Sequence, residues 1–294
     1  MILPQKTRFY PWKPAAWLKV SGEDAPGFLQ GQFTNDIRNM LPGNGLYGLW
    51  LNQKGKVLAD SFVVPTAGER GFWVGSYFST AVAIRERLEA YIVADDVSVE
   101  DESEGWMGVS LLGDGIGEWL AGEPREGVCF RGRRSSQESW EWVFPGSLWK
   151  TVRAGIEGAR EVDTLELERL RVEALIPSIP ADIGPGDLPN EGRLEADAIS
   201  STKGCYLGQE VMARIKSRGV VRRQLFRVAG PGAAPPVPTA LWHAGALAGQ
   251  LRSAVPNAGT EGFTGLAILQ TRLPKPFPEL ALSAGARPAV RVLA

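Results

Sequence analysis

Apolar residues recur along the first half of the chain as short β-like runs separated by turn residues. Ala16–Val20 predicts a strand and Gly22–Asp24 a turn. Ala25–Gln32 predicts a short helix, with Asp24 as N-cap and Pro26 in its first turn. Leu46–Leu51, the turn Asn52–Gly55 and Lys56–Val64 together predict a hairpin. Gly71–Gly75 predicts a further strand. In Thr80–Tyr91 the residues Val82, Ile84, Leu88 and Tyr91 follow helical spacing and are expected to be buried. Val97–Glu100 and Trp106–Leu112 predict two more strands. Paired strands mixed with helices in this order predict an α+β fold, not a parallel α/β sheet.

Val162–Leu175 carries a helical pattern through Leu165, Leu167, Leu170, Val172 and Leu175, stopped by Pro177 and Pro180. Ile176–Leu194 is rich in Pro and Gly and predicts a structured loop or a lid. Cys205–Ile215 predicts a second helix, with Val211, Met212 and Ile215 on one face, and Val220–Val228 a strand. Gly230–Pro238 reads as a linker or wide turn. Thr239–Ala294 has short β-like runs punctuated by Gly and Pro and predicts a small β-barrel or sandwich. The expected organisation is an α+β region over 1–228 and a closing β domain over 229–294.

Charge adds little: 32 Lys and Arg balance 33 Asp and Glu among 294 residues, so the whole molecule has no pull on nucleic acid or membrane. The two cysteines, Cys129 and Cys205, lie far apart and form no CxxC, which predicts a reducing compartment without a disulfide framework. His243 is the only histidine, which excludes a histidine-rich metal site. The opening residues lack the apolar core of a targeting segment, and no run reaches the length of a membrane helix. A soluble cytoplasmic protein is expected.

Ser200–Arg223, SSTKGCYLGQEVMARIKSRGVVRR, is the most unusual segment. Cys205 stands two residues from Lys203, and a helix starting just after it would favour its thiolate; a small buried residue is the alternative. Arg214, Lys216, Arg218, Arg222 and Arg223 are able to grip an anionic tail or an RNA backbone, or to form an ordinary solvated face. Glu166, Glu168 and Glu173 lie on one helix, whose end carboxylate is able to hold adjacent N–H donors of a planar ring such as a pterin; surface ion pairing is the alternative. Asn35 and Asp36 either polarise a ligand or shape a turn. The ten tryptophans wall a pocket or fill the core. There is no GxGxxG or GxxxxGK[ST] phosphate loop, and Gly113–Gly117 reads as a turn.

Lys203–Glu210, KGCYLGQE, matches at every specified position the pattern K-G-C-Y-x-G-Q-E of the YgfZ family, within the glycine-cleavage T-protein superfamily. Pro189–Glu191 before it, Arg214 and Arg218–Gly219 after it, and the blocks Leu18–Asp36 and Leu49–Asp60 resemble the family as well. The resemblance spans residues 15–230. It implies a folate-binding core of two ferredoxin-like halves followed by a β-barrel, with a tetrahydrofolate pocket near the middle of the molecule. Arg171–Ala174, RVEA, resembles the run whose glutamate holds the pterin in T-proteins, so Glu173 inherits that role; Leu175 stands where glycine is usual. Lys203, Asn35, Asp36, Tyr206 and Arg214 are the further implied folate contacts, and Cys205 the implied reactive thiol. T-proteins carry a G-G-x-x-D-D run whose first aspartate assists aminomethyl transfer; here Ala59 occupies that position, which argues against that chemistry. The implied function is a folate-dependent accessory role towards iron–sulfur enzymes or assembly proteins, including enzymes that modify tRNA. A one-carbon transferase and an RNA-binding tRNA-modification factor, contacting tRNA through the Arg214–Arg223 cluster, are the alternatives.

Overall fold

The apolar runs of the sequence segregate into three sheets of five strands each among the described residues. The structure, a computed structural model, describes residues 3–41, 43–67, 70–219 and 221–293. Val220, expected to open a strand, and the side chain of Arg218 lie outside the described residues.

The chain opens with β1 (Arg8–Trp12), β2 (Ala16–Ser21) and α1 (Ala25–Gln32). The hairpin β3 (Leu46–Leu51) and β4 (Val57–Pro65) follows, then β5 (Gly71–Ser76), α2 (Ala81–Glu89) and β6 (Ser98–Asp101). Next come β7 (Trp106–Leu112), α3 (Ile116–Ala121), β8 (Val128–Arg131), β9 (Ser139–Pro145), α4 (Trp149–Gly155) and β10 (Arg160–Glu161). After α5 (Thr164–Glu173) a long irregular segment leads to α6 (Gln209–Arg218). The chain closes with β11 (Arg223–Gly230), β12 (Thr239–His243), β13 (Ala246–Pro256), β14 (Phe263–Gln270) and β15 (Arg291–Leu293).

The first sheet has the order β3-β4-β5-β2-β6, and the second β10-β1-β7-β9-β8. The N-terminal strand β1 therefore leaves the first sheet's chain segment and inserts into the second, with Phe9 opposite Leu111. The two α+β units are interleaved for this reason. One face of the first sheet buries α1 and α2 through Leu29, Phe33, Ile84 and Leu88. Helices α3 and α4 cover the second sheet through Trp119, Val152 and Ile156. The remaining faces meet in a central core that also takes up Ile179, Tyr206 and Met212 from the irregular segment and α6, and Leu225 and Ile268 from the third sheet. Trp17 and Phe62 from the first sheet meet Phe130 from the second at 6.3 and 5.1 Å. Trp17 also stacks on Trp73 at 5.3 Å. Much of the tryptophan content thus fills the contact between sheets.

The third sheet, β12-β13-β14-β11-β15, is open and not a closed barrel. Leu280 and Ala281 span the gap only as isolated bridges, the Ala281 amide donating to the Trp242 carbonyl at 2.8 Å and the Leu280 amide to Val290 at 2.8 Å. Pro274, Pro276, Pro278 and Pro288 flank this seam. They supply no N–H groups, so a continuous ladder cannot form. The sheet begins inside β11, at Arg223.

Three local expectations shift. Val82 was expected inside but is 56% exposed, and Leu165 of the second helical pattern is 37% exposed, because each lies on the outer side of its helix. The second predicted helix begins at Gln209, not at Cys205. Asp24 precedes α1 without capping it; its carboxylate instead accepts from the Asp96 amide at 2.8 Å. No helix among the described residues is long and apolar enough to cross a membrane.

Candidate functional site: a loop that presents a thiol

The segment KGCYLGQE is built as a pinned loop. The Lys203 ammonium is buried and donates to the carbonyls of Gln30, Phe33 and Asn35 at 2.7, 2.6 and 2.9 Å. An ammonium has three protons, and these three acceptors at the C-terminal end of α1 use all of them. Negative partial charge gathers there, so a cation is also favoured. Burial pushes the Lys203 pKa down to about 8; the three acceptors oppose that shift. Three residues on, Tyr206 is buried in the central core, and burial lifts its phenol to about 12. The Leu207 amide bonds to the Gly31 carbonyl at 3.2 Å. Gly208 has φ +87°, and a Cβ there would stand 2.8 Å from the Asn52 carbonyl oxygen. Glycine lets the loop lie directly on the β3–β4 turn. Between these anchors Cys205 is exposed. It stands four residues before the first residue of α6, so the thiol lies outside that helix.

Two adjoining cavities flank α6. One, of 590 Å³, is lined by Ile199, Tyr206, Gln209, Met212 and Lys216. The other, of 880 Å³, is lined by Lys56, Glu191, Arg222, Arg223 and Arg272. Asn190, Ile215 and Val221 border both.

Asn35 and Asp36 lie beside the Lys203 anchor, and their side chains have other partners. The Asn35 amide donates to the carbonyls of Tyr47 and Asp197 at 3.0 and 3.1 Å, clasping a turn. Asp36 takes a two-pronged bond from Arg38 at 2.9 and 2.7 Å, which holds its carboxyl well below the usual carboxylate range. Arg214 pairs with Glu210 one helical turn away. Arg223 pairs with Glu191 and Asp187 at 2.9 and 3.1 Å. Of the basic cluster, Lys216 and Arg222 are left facing the two cavities. Glu173, at the end of α5, is exposed; its carbonyl accepts from Arg227 at 2.8 Å. Leu175, where the family has glycine, holds φ +56°. The left-handed turn that glycine normally provides is therefore kept despite the substitution. Glu173 and Cys205 line no common cavity among those described.

β4 corrects the inference drawn from Ala59. Successive residues of a strand face opposite ways. Ala59 is fully buried on the helix side, among Trp50 and Val63. A carboxylate at that position would be sealed against the helix layer, so the argument from Ala59 falls on the wrong face. Asp60 faces the centre. It accepts from Ser79, Ser76 and Tyr47 at 2.6, 2.8 and 3.1 Å, and burial raises its pKa against those bonds. Beside it Arg133 lies 4.5 Å over the Tyr47 ring, and Arg134 lies 3.5 Å over Tyr77. Glu141, fully buried, accepts from Tyr77, Ser110 and Trp12 at 2.6, 2.7 and 3.0 Å. The recess between Asp60, Tyr77, Arg133 and Arg171 measures only 10 Å³, about the room of one water. Sequence reasoning missed this buried polar centre; the alternation Ala59, Asp60, Phe62, Val64 was the signal that could have found Asp60.

Among the described residues no group of three or more His, Cys, Asp or Glu could hold a metal ion. Cys129 lies in β8 of the second sheet, where burial pushes its thiol up to about 12.

The GCVT N-terminal domain family matches residues 13–120. The chain is similar to the mitochondrial iron–sulfur cluster assembly factor IBA57 of Mus musculus, 29% identical over 87% of this chain and 75% of the relative. It is 28% identical to the Homo sapiens IBA57, over 93% and 80% of the two chains. It is 27% identical to the tRNA-modifying protein YgfZ of Klebsiella pneumoniae, over 74% and 70%. The crystal structure of the glycine cleavage system aminomethyltransferase T from Bartonella henselae shares its fold, with a TM-score of 0.81 at 16% identity, over 99% of this chain and 86% of that one. The pinned KGCYLGQE loop and the interleaved α+β units thus stand in a chain whose residues 13–120 match the GCVT N-terminal domain and which is similar to the YgfZ and IBA57 proteins.

Proposed function

We propose that this protein is a folate-binding accessory factor for iron–sulfur cluster assembly or repair, and that Cys205 is its functional thiol. The observation that carries this reading is the construction of the loop. Lys203, Tyr206 and Gly208 are consumed in anchoring it, and the Cys205 thiol is left exposed between them. A cysteine kept merely as a small apolar residue would be buried. An exposed thiol on a rigid mount suits transient contact with a partner's thiol or with a cluster being delivered. With Cys129 half-buried in another sheet, the chain does not assemble the four thiolates of a resident cluster.

The folate is a tetrahydrofolate or another reduced folate, with the pterin's adjacent N–H donors on Glu173. Its carboxylate is exposed, and the Leu175 turn keeps the geometry of the glycine-bearing run. We take residues 229–294, which hold most of the open third sheet, as the closing β unit, and the cytoplasm as the site of action. Asp60 keeps a folate-dependent one-carbon transferase as the second reading, since it supplies a buried carboxylate at the centre.

Cells lacking the gene should lose iron–sulfur enzyme activity, including that of tRNA-thiolating enzymes, and regain it with the wild-type gene. Cys205→Ser should fold, accumulate and bind tetrahydrofolate within a few-fold of wild type, yet fail to restore activity, because serine is a poor soft-metal ligand and far less acidic. Full rescue by the serine variant would leave the Cys205 thiol without a chemical role. Ammonia release from the aminomethyl carrier protein at a rate like that of an authentic T-protein would favour the second reading.

A further inference from the structure

The 880 Å³ groove beside α6 carries an unusual charge for a chain with net charge −1. Four cationic side chains, Lys56, Arg222, Arg223 and Arg272, and one carboxylate, Glu191, line it. Glu191 is already consumed, together with Asp187, by Arg223. Among the described residues no carboxylate meets Lys56, Arg222 or Arg272; Arg272 bonds only to the amide oxygen of Gln270, at 2.7 Å. These three cations come from the β3–β4 turn, the start of β11 and the end of β14, so the fold brings them together from distant parts of the sequence.

A second observation lies where the groove joins the 590 Å³ cavity. Asn190 borders both, and its Oδ1 is buried without a hydrogen-bond partner. A buried acceptor left empty is costly and calls for an N–H or O–H donor. Beyond that junction the cavity wall is mixed: Ile199, Tyr206 and Met212 offer an apolar face, and Glu195, Ser200 and Gln209 offer polar groups.

We infer that this double cavity binds a nucleoside polyphosphate, with the phosphates on Lys56, Arg222 and Arg272 and the nucleoside in the Tyr206 cavity, donating to Asn190. Three unpaired cations in one short groove suit a compact group of several charges. Guanidinium forks match phosphate oxygens in pairs. A chain of glutamyl carboxylates spreads its charge over a longer span. An RNA backbone needs a continuous basic surface, which the pairing of Arg214 with Glu210 and of Arg223 with Glu191 interrupts. The inference stands independently of the folate reading.

The test is calorimetry on the full-length protein at low salt with ATP, inorganic tripolyphosphate, pentaglutamyl tetrahydrofolate and a short RNA lacking a terminal phosphate. ATP should bind saturably. Tripolyphosphate should compete with it and bind more weakly. Lys56→Ala with Arg222→Ala should weaken ATP by about tenfold or more, since exposed charge contacts are individually small but act together here. The variant's thermal transition serves as the folding control. Raising the salt on the wild type, which needs no substitution, should weaken ATP in parallel. No saturable ATP binding, or ATP binding unchanged in the double variant or by salt, overturns the site. ATP no tighter than tripolyphosphate overturns the nucleoside cavity. Tighter binding of the glutamyl chain or of the RNA at the same residues overturns the assignment to phosphate.

Discussion

Replacing Lys203 by methionine tests whether the KGCYLGQE loop is held by its lysine or merely contains it. The methionine side chain is close in length and apolar, so packing is largely conserved and the loss is electrostatic. Three carbonyls, of Gln30, Phe33 and Asn35, lose a charged donor now at 2.6 to 2.9 Å. A hydrogen bond to a charged group contributes about 1.5–3 kcal/mol net. The three share one ammonium whose burial is itself costly, so their sum overstates the effect. A net loss of about 3 kcal/mol is expected. For a chain of this size that lowers Tm by roughly 5 °C. Urea unfolding followed by fluorescence and by circular dichroism gives the free-energy difference, and the slope m should stay constant. Lys203→Arg should also destabilise, because a planar fork cannot place three donors on three carbonyls around one point. A methionine variant within about 0.5 kcal/mol of wild type would refute this account, since that range is typical of surface substitutions.

Other outcomes follow from the same geometry. Gly208→Ala should cost about 1–3 kcal/mol, because φ is +87° and the added Cβ meets the Asn52 carbonyl oxygen at 2.8 Å, whereas Gly204→Ala meets nothing within 4 Å and should be nearly silent; equal unfolding midpoints for the two would contradict this. Glu173→Gln should weaken tetrahydrofolate by about 1–3 kcal/mol by calorimetry, since a charge-assisted pair becomes a neutral one; an unchanged affinity would remove Glu173 from the pocket. Asp36 is held below its ordinary 3.8 by Arg38, so its stabilisation is present at neutral pH and disappears as acid protonates it. The stability gap between wild type and Asp36→Asn should therefore stay constant down to about pH 4 and close below it; a gap that widens in acid would reverse the sign.

Local pattern determined the elements that pair or coil with their neighbours in sequence. The β3–β4 hairpin, α1, α2 and β7 were legible because turn residues and apolar spacing act over a few positions. The family resemblance rested above all on eight residues, and the reason for it is now visible: Lys203 and Leu207 bond to α1 and its end, Gly208 lies on the β3–β4 turn, and Tyr206 is buried in the central core. The partners of Lys203 lie 168 to 173 residues away in the chain, so no window on the sequence contains both sides of the contact. For the same reason Lys203, read as a ligand for an anion, turned out to face three carbonyls. The basic run from Arg214 to Arg223 looked like a single patch, but carboxylates from Glu210, Glu191 and Asp187 divide it, and Lys56 and Arg272 join what remains. Ala59 and Asp60 could have been assigned to faces from alternation alone. Which face lay at the centre was decided only when the first and second sheets met, because a strand's periodicity separates its two sides without saying which one a partner will cover.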